Sequence, residues 1–361
     1  MSQVGTHTGR LAPDSAAAAR PRVEFIDYAK GWCIVLVVLM HSTLGLTERV
    51  GEANWIGEFI AFAKPFRMPD FFLIAGLFAM RSLQAPLRSF VDSKILHFAY
   101  FYVLWMTIQI LVKRGGLLID DPAGFGGEYL YSLIEPLGTL WFIYLLPIMY
   151  TVARLLRPFP TVLVLIFAAS LRFLQLETGS TVIDYFTAYF VFFLAGIRLS
   201  ARILALADWC GRHPLSTGAS IVAWAVFNAW AVYAGVALEP LPGIALGFAG
   251  ALAVIGGSAL LARARILNAL RYAGQHSLPV YLAFFLPMAA ARTLIIKAGW
   301  TGNIDAACLV IATVAIVTPL ALHYWLQKTP LKFLFERPPA FRLRTPRTLA
   351  RADRLRLSHA E

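Results

Sequence analysis

Charge is what this sequence has little of. Asp, Glu, Lys and Arg make up 14% of its 361 residues, against roughly 25% in ordinary soluble domains. A soluble chain of this size needs a charged skin, so a soluble enzyme and a disordered polar segment are both excluded. Cysteine is also scarce. Cys33, Cys210 and Cys308 lie far apart, each in or beside an apolar run, which excludes a disulfide framework and a thiolate metal cluster. Phosphate loops of the GxxxxGK[ST] and GxGxxG types are missing, as are a GxSxG elbow and an HExxH helix. An ATP-driven pump, a lipase-type hydrolase and a zinc hydrolase therefore have no motif to stand on. No metal is expected.

What remains is 59% hydrophobic residues and a mean hydropathy of +0.67. Stretches at 31–47, 66–82, 95–112, 139–156, 160–176, 183–200, 215–236, 241–262, 278–297 and 304–326 are long enough to cross a hydrocarbon layer about 30 Å thick. The fold class expected is an all-α polytopic transmembrane bundle of about ten spans. The weaker apolar stretch 51–65 reads as an interfacial or re-entrant segment, and Arg157-Pro158-Phe159 as a tight turn. With both termini placed in the cytoplasm, 24 of the 32 Lys and Arg residues fall on that side, as the positive-inside bias requires. Three regions follow: a disordered N-tail over 1–22, a transmembrane domain over 23–327 and a basic cytoplasmic tail over 328–361, suited to anionic lipid headgroups. The first apolar run reads as a retained helix, since no small-residue cleavage site follows it. The net charge of +12 thus reports topology, and no nucleic-acid partner is expected. Arg outnumbers Lys 25 to 7, which hints at a GC-rich bacterial genome and an inner-membrane location.

Ionisable groups inside apolar segments are costly and mark paths or sites. Lys30 and His41 are eleven residues apart, about three helical turns plus 20°, so both project from one face roughly 16 Å apart along the axis. Lys30 then sits at the cytoplasmic entrance and His41 at mid-depth, where an imidazole can act as a general base. Asp27, one turn before Lys30, can pair with it. Arg67 and Asp70 stand at i, i+3 and could pair at the outer mouth of the second span, with Pro69 freeing backbone carbonyls beside them. Arg81, Arg88, Lys94 and His97 group around one loop and could hold phosphates.

These residues carry a resemblance. Ile26-Asp27-Tyr28-Ala29-Lys30-Gly31 followed by His41, then Met68-Pro69-Asp70-Phe71-Phe72-Leu73-Ile74-Ala75-Gly76, Leu140-Trp141-Phe142 and Gly274-Gln275-His276-Ser277-Leu278-Pro279-Val280-Tyr281-Leu282 occur in the order of the motifs of the acyltransferase 3 family. That family consists of bacterial membrane proteins that acylate sugars and other extracytoplasmic acceptors. The chain departs from the family pattern at Lys30, where arginine is usual, and at Lys94-Ile-Leu-His97, where Arg-x-x-Arg is usual. Ala75 replaces a serine and Phe284 a histidine. The resemblance implies an O-acyltransferase that takes an acyl group, in the first instance acetyl, from cytoplasmic acyl-CoA. Catalysis would fall to His41 with Asp27. Donor phosphates would fall to Lys30, Arg81, Lys94 and His97, and the acceptor side to Arg67, Asp70 and Trp141. The acceptor would be a carbohydrate or a lipid-linked one. Intramembrane charges and proline-broken helices equally suit a non-catalytic transporter of a small or lipid-linked solute, which is the alternative reading.

Overall fold

A computed structural model describes residues 24–50, 55–300 and 303–343. The expected N-tail and the last part of the basic tail lie outside the described residues. All the regular secondary structure among the described residues is helical. In order, α1 is Glu24–Val50, α2 Trp55–Leu77, α3 Ala79–Gln84, α4 Leu87–Phe90, α5 His97–Arg114, α6 Leu117–Asp120, α7 Pro122–Tyr131, α8 Trp141–Leu155 and α9 Thr161–Phe173. They are followed by α10 Thr181–Arg198, α11 Ser200–Arg212, α12 Pro214–Tyr233, α13 Pro240–Ala264, α14 Asn268–Gln275, α15 Ser277–Ala283, α16 Phe285–Lys297 and α17 Ile304–Leu326. A π-helical turn, Val91–Leu96, leads into α5. Two short 3₁₀ turns, Pro330–Leu334 and Pro339–Phe341, follow α17.

Among the described residues, seven helices are long and apolar enough to cross a membrane, and the α15–α16 pair makes an eighth if counted as one span bent by 53°. The expectation of ten simple spans is thus only partly met, for two physical reasons. At 160–176, α9 is a helix of 13 residues, which rises only about 20 Å. At 66–82, α2 ends at Leu77, and although its 23 residues are long enough, Glu58, Lys64, Arg67 and Asp70 leave it too charged to count among the apolar spans. The stretch 55–65, expected as an interfacial segment, is instead the first half of α2, one continuous helix that also contains Pro65 and Pro69. Residues 51–54 lie outside the described residues.

Although α2 carries Glu58, Lys64, Arg67 and Asp70, it packs between α1, α10 and α13. Small residues make this possible. A Cβ on Gly76 would lie 2.3 Å from the Phe193 carbonyl oxygen, and one on Gly196 would lie 2.1 Å from that of Leu73. In lipid, where burying an apolar side chain gains little, such close backbone approach is what drives helices together. The same device joins α1 to α14, where a Cβ on Gly274 would meet the carbonyl of Asp27. Tyr28 fixes the turn before α14 by donating to the Ile266 carbonyl at 2.7 Å.

Candidate active site

Between α1, α2, α5, α8 and α15 lies a cavity of about 290 Å³. Its walls are largely apolar and aromatic, with Phe71, Phe98, Phe142, Tyr150 and Tyr281 among them, and two lysines, Lys30 and Lys94, also line it. Lys30 comes from the first turns of α1 and Lys94 from the π-turn ahead of α5. The two lysines are close enough for their charges to interact. Lys94 lies over the face of Tyr150 at 4.5 Å and donates to its hydroxyl at 3.3 Å. Tyr150 in turn donates to the Ala75 carbonyl at 3.3 Å. Such a pair of cations in an apolar cleft suits an anionic or strongly polar group on an otherwise apolar ligand. At the far wall the hydroxyl of Tyr281 donates to the Thr139 carbonyl at 2.7 Å and accepts from the Ile143 amide, pinning α8 to α15.

One turn along α1 from Lys30, Cys33 also lines the cavity. Its thiol donates to Asp70 Oδ2 at 3.1 Å. This corrects the expected Arg67–Asp70 pair: no ion pair joins them, although they stand one turn apart on α2. Asp70 turns to α1, leaving its second oxygen without a hydrogen-bond partner, and Arg67 keeps Nε and Nη1 unpartnered while only 7% exposed. Buried polar groups are hydrogen-bonded in the great majority of cases. Two opposite charges with orphan atoms, both on α2, therefore mark this depth as a place where a polar ligand can be received.

His41 is not a lining residue of the cavity. It lies further along α1, its ring 5.6 Å from that of Phe284 at the bend between α15 and α16, and Arg67 is close enough to it for their charges to interact. Arg67 is similarly close to Tyr189. Tyr189 belongs to an aromatic group with Trp141, Tyr185 and Phe72, in which Trp141 and Tyr185 are 4.3 Å apart and Phe72 and Tyr189 stack at 5.2 Å. The polar groups thus fall at two levels, Lys30 and Lys94 at one and His41 with Arg67 at the other, with Cys33 and Asp70 between.

Of the residues singled out in the sequence, Lys30 and Lys94 meet at one cavity, and His41, Arg67 and Trp141 gather at the other level. Asp27 is buried in the α1–α14 contact, where its carboxylate accepts from the Gln275 amide at 3.1 Å. His97 packs against Phe101, with Arg337 and Arg342 near enough to interact with it. Arg81 is exposed on α3 and does not line the cavity. Cys33 and Tyr150 escaped the sequence reading, because a small residue or a tyrosine in an apolar helix gives no signal of its own. Spacing could have found Cys33, three residues from Lys30 and hence on a neighbouring face.

Comparison with known proteins sharpens the picture. The acyltransferase 3 family model, described as an acyltransferase domain, matches residues 23–322. The inner membrane protein YcfT of Escherichia coli (strain K12) is 28% identical over 155 residues, covering 36% of this chain and 43% of that protein. The nodulation protein NolL of Mesorhizobium japonicum is 26% identical over 145 residues, covering 40% of this chain and 38% of that protein. The matched stretches span less than half of either relative. No solved structure matches the chain. With the family model covering the helical bundle almost end to end, the chain belongs to the acyltransferase 3 family of membrane proteins.

Proposed function

We propose that the protein is an integral membrane O-acyltransferase of the bacterial inner membrane that moves an acyl group, in the first instance acetyl, from cytoplasmic acyl-CoA to a hydroxyl of a carbohydrate or lipid-linked acceptor. The observation that carries the reading is the pairing of Lys30 and Lys94 at one cavity with His41 three turns further along the helix that bears Lys30. The separation of about 16 Å is a length that an extended thioester arm can bridge. In this reading Lys30 and Lys94, with His97 nearby, hold the donor's anionic part at the cytoplasmic side, and the acyl-bearing arm runs past Cys33 toward His41. His41 takes the proton of the acceptor hydroxyl as it attacks the thioester carbonyl, or carries the acyl group transiently. The CoA thiolate leaves and is protonated. Arg67, close to His41 and with N–H groups to spare, lies where charge develops on the carbonyl oxygen. Trp141 and its aromatic neighbours offer faces to a sugar ring, and Asp27 steadies the α1 turn that holds Lys30. In this reading the positive-inside bias argues for both termini in the cytoplasm, and α2, α9 and the bent α15–α16 pair would bring the membrane-embedded segments to ten.

Release of free CoA from acetyl-CoA by the detergent-purified protein, with crude envelope extract as acceptor, tests this. Turnover by wild type that is lost in a folded His41→Ala variant is expected. Equal turnover in both would remove His41 from the chemistry. No turnover with acetyl-CoA or longer acyl-CoAs, with folding intact, would favour a transporter instead.

A further inference from the structure

After α17 the described chain, to residue 343, stays against the bundle. Residues 328–343 turn back and lie along α5 as a strap, held by side chains of α5 itself. Tyr100 donates to the Phe333 carbonyl at 2.9 Å, and the Trp105 indole to the Leu334 carbonyl at 2.9 Å. Phe335 is buried with its ring 5.6 Å from that of Trp105. The tightest attachment is at Asp92 in the π-turn. Arg337 donates from Nη1 to the Asp92 carbonyl and from Nη2 to Oδ2, both at 2.8 Å, and the Leu343 amide donates to Oδ1 at 2.7 Å. Arg337 is only 5% exposed. A segment expected as a basic tail against lipid headgroups thus sends a buried arginine 245 residues back along the chain to hold one residue of one turn.

That turn is the one that contains Lys94. A π-helical turn inserts an extra residue into the helix, and tightening it back to α geometry would rotate everything on one side by about 100° relative to the other. The direction of Lys94 toward Lys30 and Tyr150 therefore depends on the π-turn persisting. Such turns are rare and frequently occur at functional sites. Arg337 supplies an outside contact to this one, because it donates both to the Asp92 carbonyl and to the same residue's carboxylate, within the turn Val91–Leu96.

We propose that Arg337 is a positioning residue: through Asp92 it holds the π-turn open and so aims Lys94 into the donor cavity, making the C-terminal strap a working part of the donor site. The proposal rests on the acyltransferase reading for its kinetic consequence, not for its geometric one. A pair in which the arginine is buried and the aspartate is half-buried would be expected to contribute specificity of arrangement more than stability, which fits a role in aiming a side chain.

The experiment has two arms. In the kinetic arm, Arg337→Ala and the milder Arg337→Lys and Asp92→Asn are compared with Lys94→Ala. Arg337→Ala should raise the KM for acyl-CoA roughly tenfold or more, as losing a hydrogen bond to a charged group does, with kcat changed less than about twofold. Combined with Lys94→Ala, it should add nothing further, since the two act as one unit. An unchanged KM, or an equal multiplication of KM in both backgrounds, would overturn the proposal. In the second arm, Lys94→Cys is labelled with a maleimide in the presence of Arg337 and of Arg337→Lys or Arg337→Ala. Faster labelling on weakening the clamp is expected, and an unchanged rate in folded protein would overturn it. Because labelling needs no turnover, a wild-type protein inert toward acyl-CoA would end the acyltransferase reading while leaving the strap decided on its own.

Discussion

Helices α2 and α17 are both 23 residues long and belong to the same bundle, yet they are built in opposite ways. Of the acidic and basic residue types α17 has only Asp305 and His323, near its two ends, and many of its large side chains, such as Val310, Val317, Tyr324 and Trp325, face outward. The other helix, α2, holds four charges and two prolines and buries thirteen of its residues. In water the charged helix would be the outer one. Here the order is reversed, because the surroundings are as apolar as Leu and reward no sequestration of apolar side chains, whereas an exposed charge is costly. The comparison teaches where to look for function: the helix least able to face lipid is the one that carries Arg67 and Asp70 to the middle of the molecule.

The comparison can be broken most severely where α2 meets α10. Gly196→Leu would drive a side chain into the Leu73 carbonyl, which already lies 2.1 Å from the place of a Cβ. It should cost more than about 3 kcal/mol, read as loss of a monodisperse peak in size-exclusion chromatography and a fall in Tm. Arg67→Met separates function from stability in the same helix. Removing a buried guanidinium with two unpartnered nitrogens should leave Tm unchanged or higher, by up to about 1–4 kcal/mol in stability, while acyl-CoA turnover falls at least about 100-fold. Turnover near wild type would detach Arg67 from the chemistry. The smallest effect belongs to α17. Val317→Ala, at a side chain 54% exposed on the described surface, should change stability by less than about 0.5 kcal/mol. A loss of several degrees in Tm would show that this face of α17 is covered by protein rather than lipid.

Much of this was legible in the sequence. The helical class, the run of apolar segments and the shared face of Lys30 and His41 follow from composition and the 3.6-residue period, and the motif order around Asp27, Asp70, Trp141 and Tyr281 pointed to the family that the comparison then showed. The contacts between charges were less legible. The spacing of Arg67 and Asp70 permitted a pair, and the structure gives Asp70 to Cys33 instead. Arg81 looked equivalent to Lys94 as a loop cation, but only Lys94 reaches the cavity. The break of 66–82 at Leu77 and the shortness of α9 were hidden because apolar residues continue through the helix ends.

By itself the sequence determined that this chain is a set of apolar helices, since in lipid a segment must satisfy its backbone hydrogen bonds internally whatever its neighbours do. It also determined which groups share a face of one helix, because that depends only on the period of 3.6. Only the tertiary structure decided that Asp70 meets Cys33, that Lys94 meets Tyr150 and that Arg337 clamps Asp92. Each of those partners comes from a distant part of the chain. In a dry interior a polar group takes the partner that packing brings within reach, and packing at Gly76, Gly196 and Gly274 is set by the backbones of several helices at once.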